Sequence, residues 1–287
     1  MASLKDIKRR IGSVKSTQKI TNAMKLVSAS KFSKANHAVQ ASRPYGRALD
    51  QMVETIVGSG GEELSSPLLR SPAGDGVLVI VVGSDRGLCG GMNTNVFKKM
   101  DAFLASEELS SKQVTLVGWG RRAIQYVAKK SVTAGEGVEK VLADPSYENA
   151  QKLGDMVLHA FRSGKYSQIH IAFPRFKSAL EQIPTVKKLL PFTMDKEDLA
   201  ATRDMIIEPE AGLVVERLVE RWLMSSIHRV LLEGAASEHG ARMSAMDSAT
   251  NNAKEVQKKL TLVYNRARQA AITTELTEII SGAEALN

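Results

Sequence analysis

The sequence holds a single cysteine, Cys89, in 287 residues. That excludes an internal disulfide and any cysteine-rich zinc site. Aromatic residues make up only 5% of the chain, as in chains with much coiled coil. No apolar run approaches the ~18 residues of a membrane span. The start, Met1-Ala2-Ser3-Leu4-Lys5-Asp6, lacks the apolar core of a signal peptide and enters a helical pattern at once. A reducing, cytosol-facing compartment fits these absences. His37, His159, His170, His228 and His239 are scattered and keep no metal-ligand spacing. No paired carboxylates for acid–base work stand out, and no internal repeat or low-complexity tract is present. Proline is missing from residues 210–287.

That proline-free stretch organises the chain. Met246, Ala249, Ala253, Val256, Leu260, Val263, Ala267 and Ala270 alternate steps of three and four, the spacing of a coiled-coil seam, which then shifts to Ile272, Leu276, Ile279 and Ala283. As one helix it reaches roughly 115 Å at ~1.5 Å per residue, so it must lie along a partner segment, another protein, or both. Gly212, Gly234 and Gly240 each cost ~1 kcal/mol against alanine and mark places where it is expected to bend or break.

Charge is confined. Residues 1–50 carry a net charge of +9, and the remaining chain is close to neutral. A solvated helix face accounts for this, as does a surface facing acidic protein, nucleic acid or lipid headgroups. Residues 1–57 read as a long helix, with a seam at Leu4, Ile7, Ile11 and Val14. Lys15-Ser16-Thr17-Gln18-Lys19 interrupts it, and Ile20, Met24 and Val27 resume it with a shift. Ser28-Ala29-Ser30 and Ser33-Lys34-Ala35 are small and polar, so a second helix can approach closely but adheres weakly. Pro44 is expected to kink or restart the helix, and Gly58-Ser59-Gly60-Gly61 to end it. Residues 58–76 read as a linker.

Val77-Leu78-Val79-Ile80-Val81-Val82 is a continuous apolar run, rich in β-branched residues, typical of a buried parallel strand. Further strands are predicted at Gln113–Val117, Gln168–Phe173 and Thr185–Leu190, the last entered through Pro184 and closed by Pro191. Helices are predicted at Asn93–Ser106, Arg121–Lys130 and Glu148–Ser163. Alternating strands and helices imply a small α/β unit over residues 77–192. Residues 193–209 connect it to the terminal helix, 210–287. The implied fold is mixed α/β: a long antiparallel coiled coil of N- and C-terminal helices, with a small Rossmann-like, mostly parallel α/β domain inserted between them. Pairing the two arms buries both seams.

Enzyme signals are thin. Gly118-Trp119-Gly120-Arg121-Arg122-Ala123 follows a strand and opens a helix, as a dinucleotide-binding turn does, and a plain tight turn explains it equally. The supporting acid after the next strand is not clear, because Glu136 and Glu139 lie in a Gly-rich loop. Gly83 to Gly91 lacks the Gly-Lys-Ser/Thr ending of a P-loop and the spacing of a nucleophile elbow. Cys89 has no histidine at an activating spacing and reads as a buried structural thiol. The basic segment 5–34 has the cation density of a nucleic-acid binder without interleaved aromatics.

Three stretches together resemble the gamma subunit of F-type ATP synthase, the rotor shaft. They are Ile20-Thr21-Asn22-Ala23-Met24-Lys25-Leu26-Val27-Ser28-Ala29-Ser30-Lys31, then Ser84-Asp85-Arg86-Gly87-Leu88-Cys89-Gly90-Gly91-Met92-Asn93, and Tyr264-Asn265-Arg266-Ala267-Arg268-Gln269-Ala270-Ala271-Ile272-Thr273-Thr274-Glu275-Leu276-Thr277-Glu278-Ile279-Ile280-Ser281-Gly282-Ala283. The match runs from Leu4 to Leu286. The resemblance implies a subunit with no catalytic, cofactor or metal site. Its partners would be three alpha and three beta subunits, an epsilon subunit and a membrane ring of c subunits, and its place the cytoplasmic face of the bacterial inner membrane. Met24 and Lys25 would face an acidic lever loop of beta. Arg242, Gln269 and Thr273 would hydrogen-bond a beta catch loop. Ile279, Ile280, Ala283 and Leu286 would form an apolar tip in an alpha–beta sleeve, and Glu208 a foot near the c-ring. Met24 as plain coiled-coil core and Gln269 as a solvated helix residue remain open. With one cysteine, the thiol switch of plastid members is not expected.

Overall fold

The computed structural model describes residues 3–59, 66–72, 74–109, 112–193, 208 and 210–284. Two long helices bracket the chain, α1 (Leu4–Ser59) and α5 (Ala211–Glu284). Between them, in order, come β1 (Gly76–Val82), α2 (Met92–Leu104), β2 (Gln113–Trp119), α3 (Arg121–Val127), β3 (Thr133–Ala134), α4 (Tyr147–Arg162), β4 (Tyr166–Phe176) and β5 (Gln182–Leu190). The chain forms two compact units, residues 1–28 with 243–287, and residues 29–242.

In the second unit the strands form one sheet in the order β3-β2-β1-β4-β5. β1 runs parallel to β2 and β4, β2 parallel to β3, and β4 antiparallel to β5. β1 is central, which is why Val77 to Val82 are all buried. Its side chains alternate between two apolar layers. Val77, Val79 and Val81 pack with Val96 and Met100 of α2 and Val127 of α3. Leu78, Ile80 and Val82 share a core with Val157 and Phe161 of α4, Leu223 and Ile227 of α5, and Val53 of α1. Within this unit, α5 is therefore enclosed on most sides between residues 222 and 242. Leu68, in the stretch read as a linker, is fully buried in the same core.

Several local expectations are corrected. α1 runs unbroken through Pro44. Pro44 has no N–H for the carbonyl of Gln40, but both residues are exposed, so water takes the orphaned carbonyl. α5 does not break at Gly234 or Gly240. A Cβ on Gly234 would come within 2.7 Å of a Leu142 methyl, and one on Gly240 within 3.1 Å of the Ala179 Cα. These glycines admit neighbours to the helix surface rather than weakening it. β5 begins before Pro184, which pairs with Pro174 of β4. An edge strand tolerates a residue that cannot donate to the ladder. β3 was not foreseen, being only two residues long.

In the first unit the seams themselves are corrected. The inward positions of α1 continue without interruption through Ile11, Val14, Gln18, Thr21, Lys25 and Ser28, while Ile20 and Val27 are 60% and 58% exposed. On α5 they are Met246, Thr250, Ala253, Gln257, Leu260, Tyr264, Ala267 and Ala271, with Ala249, Val256, Val263 and Ala270 further out. Apolar character led the reading one residue away from a strict heptad that polar residues complete. The helices are antiparallel here: Thr21 meets Thr250, and Lys25 meets Asp247. That register sets Ile11 level with Leu260 and Ile7 with Tyr264.

Candidate partner-contact surfaces

The basic arm presents some of its apolar residues outward. Ile20, Leu26 and Val27 are each more than half exposed, and Met24 and Lys25 are half-buried at the edge of the seam. The Lys25 ammonium donates to Asp247 at 2.6 Å. Both side chains remain substantially exposed, so the pair contributes only ~0–1 kcal/mol. It orients Lys25 without consuming the positive charge of its surroundings.

At the other end, α5 outruns its companion. The register that pairs Thr21 with Thr250 brings Leu4, the first residue of α1, level with Ala267. Every residue from Ile272 to Ala283 is exposed, including Ile279 and Ile280 at 69% and 56%. An isolated helix of this length is marginal in water, and each large apolar side chain left in water forgoes roughly 1.5–3 kcal/mol of burial. A partner that encloses the segment recovers both. Gln269 lies just before it and Thr273 at its start, both exposed. The Thr273 hydroxyl donates to the Gln269 backbone carbonyl at 3.0 Å, a bond within the helix.

Arg242 is placed differently from the other predicted contact residues. In the second unit it is 7% exposed and donates to the Glu238 carboxylate at 2.7 Å. It also donates to the carbonyls of Arg86 and Gly87 at 3.3 Å. Burial pushes the Glu238 carboxyl up, and Arg242 pulls it back only in part. Arg242 therefore fastens the loop Ser84–Met92 to α5. From the first turn of α2, Asn93 accepts from the Ser84 N–H and donates to the Ser84 hydroxyl, and its amide lies 3.2 Å from the Cys89 sulfur. Cys89 is buried against Met92 and Ala241. Leu88 stands at the tip, 63% exposed, with φ of 65°.

The glycine turn Gly118–Ala123 has an internal explanation. Gly120 has φ of 93°, and a Cβ there would meet the Gly83 carbonyl at 1.9 Å. The first amide of α3, Arg121 N–H, donates to the Asp85 carboxylate at 3.0 Å, and Lys140 N–H donates to the same oxygen at 2.9 Å. A side-chain anion thus occupies the seat that a dinucleotide pyrophosphate takes at such a helix start.

A family model described as ATP synthase matches residues 3–286. The chain belongs to that family. It is 43% identical to the ATP synthase gamma chain of Bdellovibrio bacteriovorus over 295 aligned residues, covering 100% of this chain and 99% of the relative. Against the ATP synthase gamma chain of Geobacter metallireducens it is 41% identical, with 100% and 99% covered. Among solved structures, a chain of the Euglena gracilis mitochondrial ATP synthase aligns with a TM-score of 0.68 at 19% identity, covering 99% of this chain and 94% of that one. A chain of the Tetrahymena thermophila mitochondrial ATP synthase central stalk and c-ring aligns at 0.60 and 23% identity, covering 80% and 99%. At these identities the solved structures establish the fold. For this ATP synthase family member, the mixed five-stranded sheet between two long helices is thus the expected architecture.

Of the predicted site residues, Met24 and Lys25 lie together on one arm, and Gln269, Thr273, Ile279, Ile280 and Ala283 share the exposed end of α5. Glu208 is exposed, and Leu286 lies outside the described residues, as does most of the connector 193–209. Three features escaped the sequence reading: the Thr21–Thr250 contact, the Asp85 cap and the Glu238 partner of Arg242. The first was visible as an unbroken heptad count from Met246. Glu238 sits four residues before Arg242, a helical pair spacing. Asp85 caps a helix 36 positions away, and no local pattern announces that.

Proposed function

We propose that this chain is the central rotating shaft of a proton-translocating ATP synthase. It couples rotation of a membrane c-ring to conformational change, and so to ATP synthesis or hydrolysis, in the beta subunits, and it is not itself catalytic. The observation that carries this reading is the full-length match to bacterial ATP synthase gamma chains. The bare end of α5 supports it: a dozen exposed residues with Ile279 and Ile280 need an enclosing sleeve, which three alpha and three beta subunits supply. Ala283 and Leu286 complete that tip. Met24 and Lys25 meet an acidic lever loop, and Gln269, beside Thr273, meets a catch loop. Arg242 contributes to that contact by holding its neighbouring loop rigid. Glu208 serves as a foot toward the c-ring and the epsilon subunit. The complex places the chain at the cytoplasmic face of a bacterial inner membrane. Among the described residues no helix is long and apolar enough to cross a membrane, so attachment runs through the c-ring.

A push without adhesion fits the composition of the seam and outer face. Driving a two-state site from 1:99 to 99:1 takes ~5.5 kcal/mol of differential contact, whereas each exposed ion pair gives ~0–1 kcal/mol. Several contacts must act together. The test is co-purification of the tagged chain from its native membranes with an ATPase assay on the eluate. Recovery of alpha and beta subunits with ATPase activity, and none from the chain alone, is the expected result. Hydrolysis by the chain alone, or its recovery without those partners, overturns the reading.

A further inference from the structure

In the second unit, a cleft of about 530 Å³ opens between α1, α5 and the β4–β5 hairpin. Its size falls in the range of small-molecule pockets, roughly 300–1,000 Å³. Its lining is unusually cationic. Arg43 and Arg47 come from successive turns of α1, Arg175 from β4, and Lys177 from the turn just after β4. Like charges at i and i+4 on a helix repel one another, so the Arg43–Arg47 pair costs stability unless an anion offsets it. Arg43 donates only to the neutral Gln40 side chain, at 3.2 Å. Neither Arg47 nor Arg175 makes an ion pair among the described residues.

A fifth cation, Arg229, forms the wall but is committed: it holds Asp50 at 2.7 and 3.1 Å, and Trp222 donates to the same carboxylate. Glu233 is the one carboxylate in the lining. It accepts the Phe176 N–H at 3.1 Å. Burial pushes its carboxyl up, against the opposing pull of Arg229, Arg43 and Arg175. A neighbouring cavity of about 350 Å³ shares Arg175, Arg229 and Glu233 and adds Lys187. Burial first, and then the charge of Arg229, press the Lys187 ammonium down, while Asp50, Glu233 and Glu54 pull the other way.

We propose that this cleft binds a phosphate-chain anion, an inorganic polyphosphate or the polyphosphate of a nucleotide. Arg43, Arg47 and Arg175 are the recognising groups, since guanidinium forks match phosphate oxygens two at a time. Lys177 adds a point charge, although Glu181 shares it at 2.9 Å. The apolar wall at Phe176 and Ile183 gives a nucleoside a surface to rest on. A concave site with three guanidinium groups that make no ion pair among the described residues favours a compact, multiply charged ligand over the dispersed carboxylates of an acidic protein surface.

The experiment is calorimetric titration of the full-length chain with inorganic triphosphate and, separately, with magnesium-free ATP, at about 0.15 M salt. Saturable one-to-one binding is expected, weakened at least about tenfold by the pair Arg47→Gln and Arg175→Gln, with the circular dichroism spectrum unchanged. Binding of both ligands assigns recognition to the phosphate chain itself. Binding of triphosphate alone assigns a free polyphosphate, and of ATP alone a nucleotide. A second pair, Arg9→Gln with Arg10→Gln, removes the same charge from the basic arm within the first unit and is expected to leave affinity unchanged. No saturable binding of either ligand, equal weakening by both variant pairs, or binding of an aspartate-rich peptide in place of phosphate overturns the proposal.

Discussion

The Thr250 hydroxyl donates to the Thr21 hydroxyl at 2.8 Å, across the antiparallel helices of the first unit. Thr21 in turn donates to the Gln18 carbonyl at 3.1 Å, one residue type chaining to the next inside a seam where apolar side chains would ordinarily sit. Both threonines are buried, at 9% and 4% exposure. A buried polar pair of this kind favours one register, because a shift of either helix breaks the contact between the hydroxyls and leaves each only the carbonyl of its own helix, Gln18 for Thr21 and Met246 for Thr250.

Replacing Thr250 with valine removes this donor while keeping the shape, and should cost about 1 kcal/mol. Combining Thr21→Val with Thr250→Val should cost less than the sum of the single changes, because either single change already removes the contact between the two hydroxyls. Thermal melts of the full chain followed at 222 nm measure this. Strict additivity would mean that the contact carries no coupling.

Breaking the buried Arg242–Glu238 pair from one side should be far more costly. Arg242→Met leaves the Glu238 carboxylate and the carbonyls of Arg86 and Gly87 without their donor, at a cost of about 3–5 kcal/mol. Glu238→Gln, which keeps a neutral acceptor, should cost less. Hydrogen exchange across residues 84–92 should accelerate in Arg242→Met; unchanged protection there would show that the loop holds itself.

His239 supplies a pH dependence. Among the described residues its buried Nδ1 has no hydrogen-bond partner. Burial first, then the charges of Arg242 and Lys31, pull the imidazole down from 6.5 to about 4. Below pH 6.5 the unfolded chain takes up a proton that folded His239 refuses, so stability falls as pH drops toward 4 and is level above. Allowing for the partial exposure of the ring, the loss should be about 1–2 kcal/mol. Urea midpoints measured between pH 4 and 7.5 should show this slope, flattened by His239→Gln. An equal slope in the variant would assign the effect to carboxylates.

Pro44 is retained in an unbroken helix at an exposed position. Pro44→Ala restores the N–H to Gln40 and should raise stability by about 1–3 kcal/mol. A lower melting temperature in the variant would show that the proline ring is packed rather than merely tolerated.

Much of the architecture was legible from residue periodicity. A continuous run such as Val77–Val82 marks a central parallel strand, because only a strand covered on both faces can be apolar at every position. Two proline-poor helical stretches flanking an α/β pattern likewise imply arms that pair with each other. The motifs around Met24, Asp85 and Gln269 sufficed to point to the ATP synthase family. What misled the reading was the assumption that the most apolar residues face inward. Ile20, Val27, Val256 and Val263 face outward, and Thr21, Ser28, Thr250 and Gln257 lie nearer the seam.

The sequence alone determined the elements and their order, because hydrophobic period, turn residues and family motifs are properties of neighbours along the chain. Only the tertiary structure decided which face of each arm is the seam. It also decided that Asp85 caps a helix 36 residues on, that Arg242 is spent on a loop, and that arginines from α1 and β4 converge on one cleft. The physical reason is common to all of these. Each depends on the register between segments distant in sequence, and that register is set by the packing of whole helices and strands rather than by any local pattern of residues.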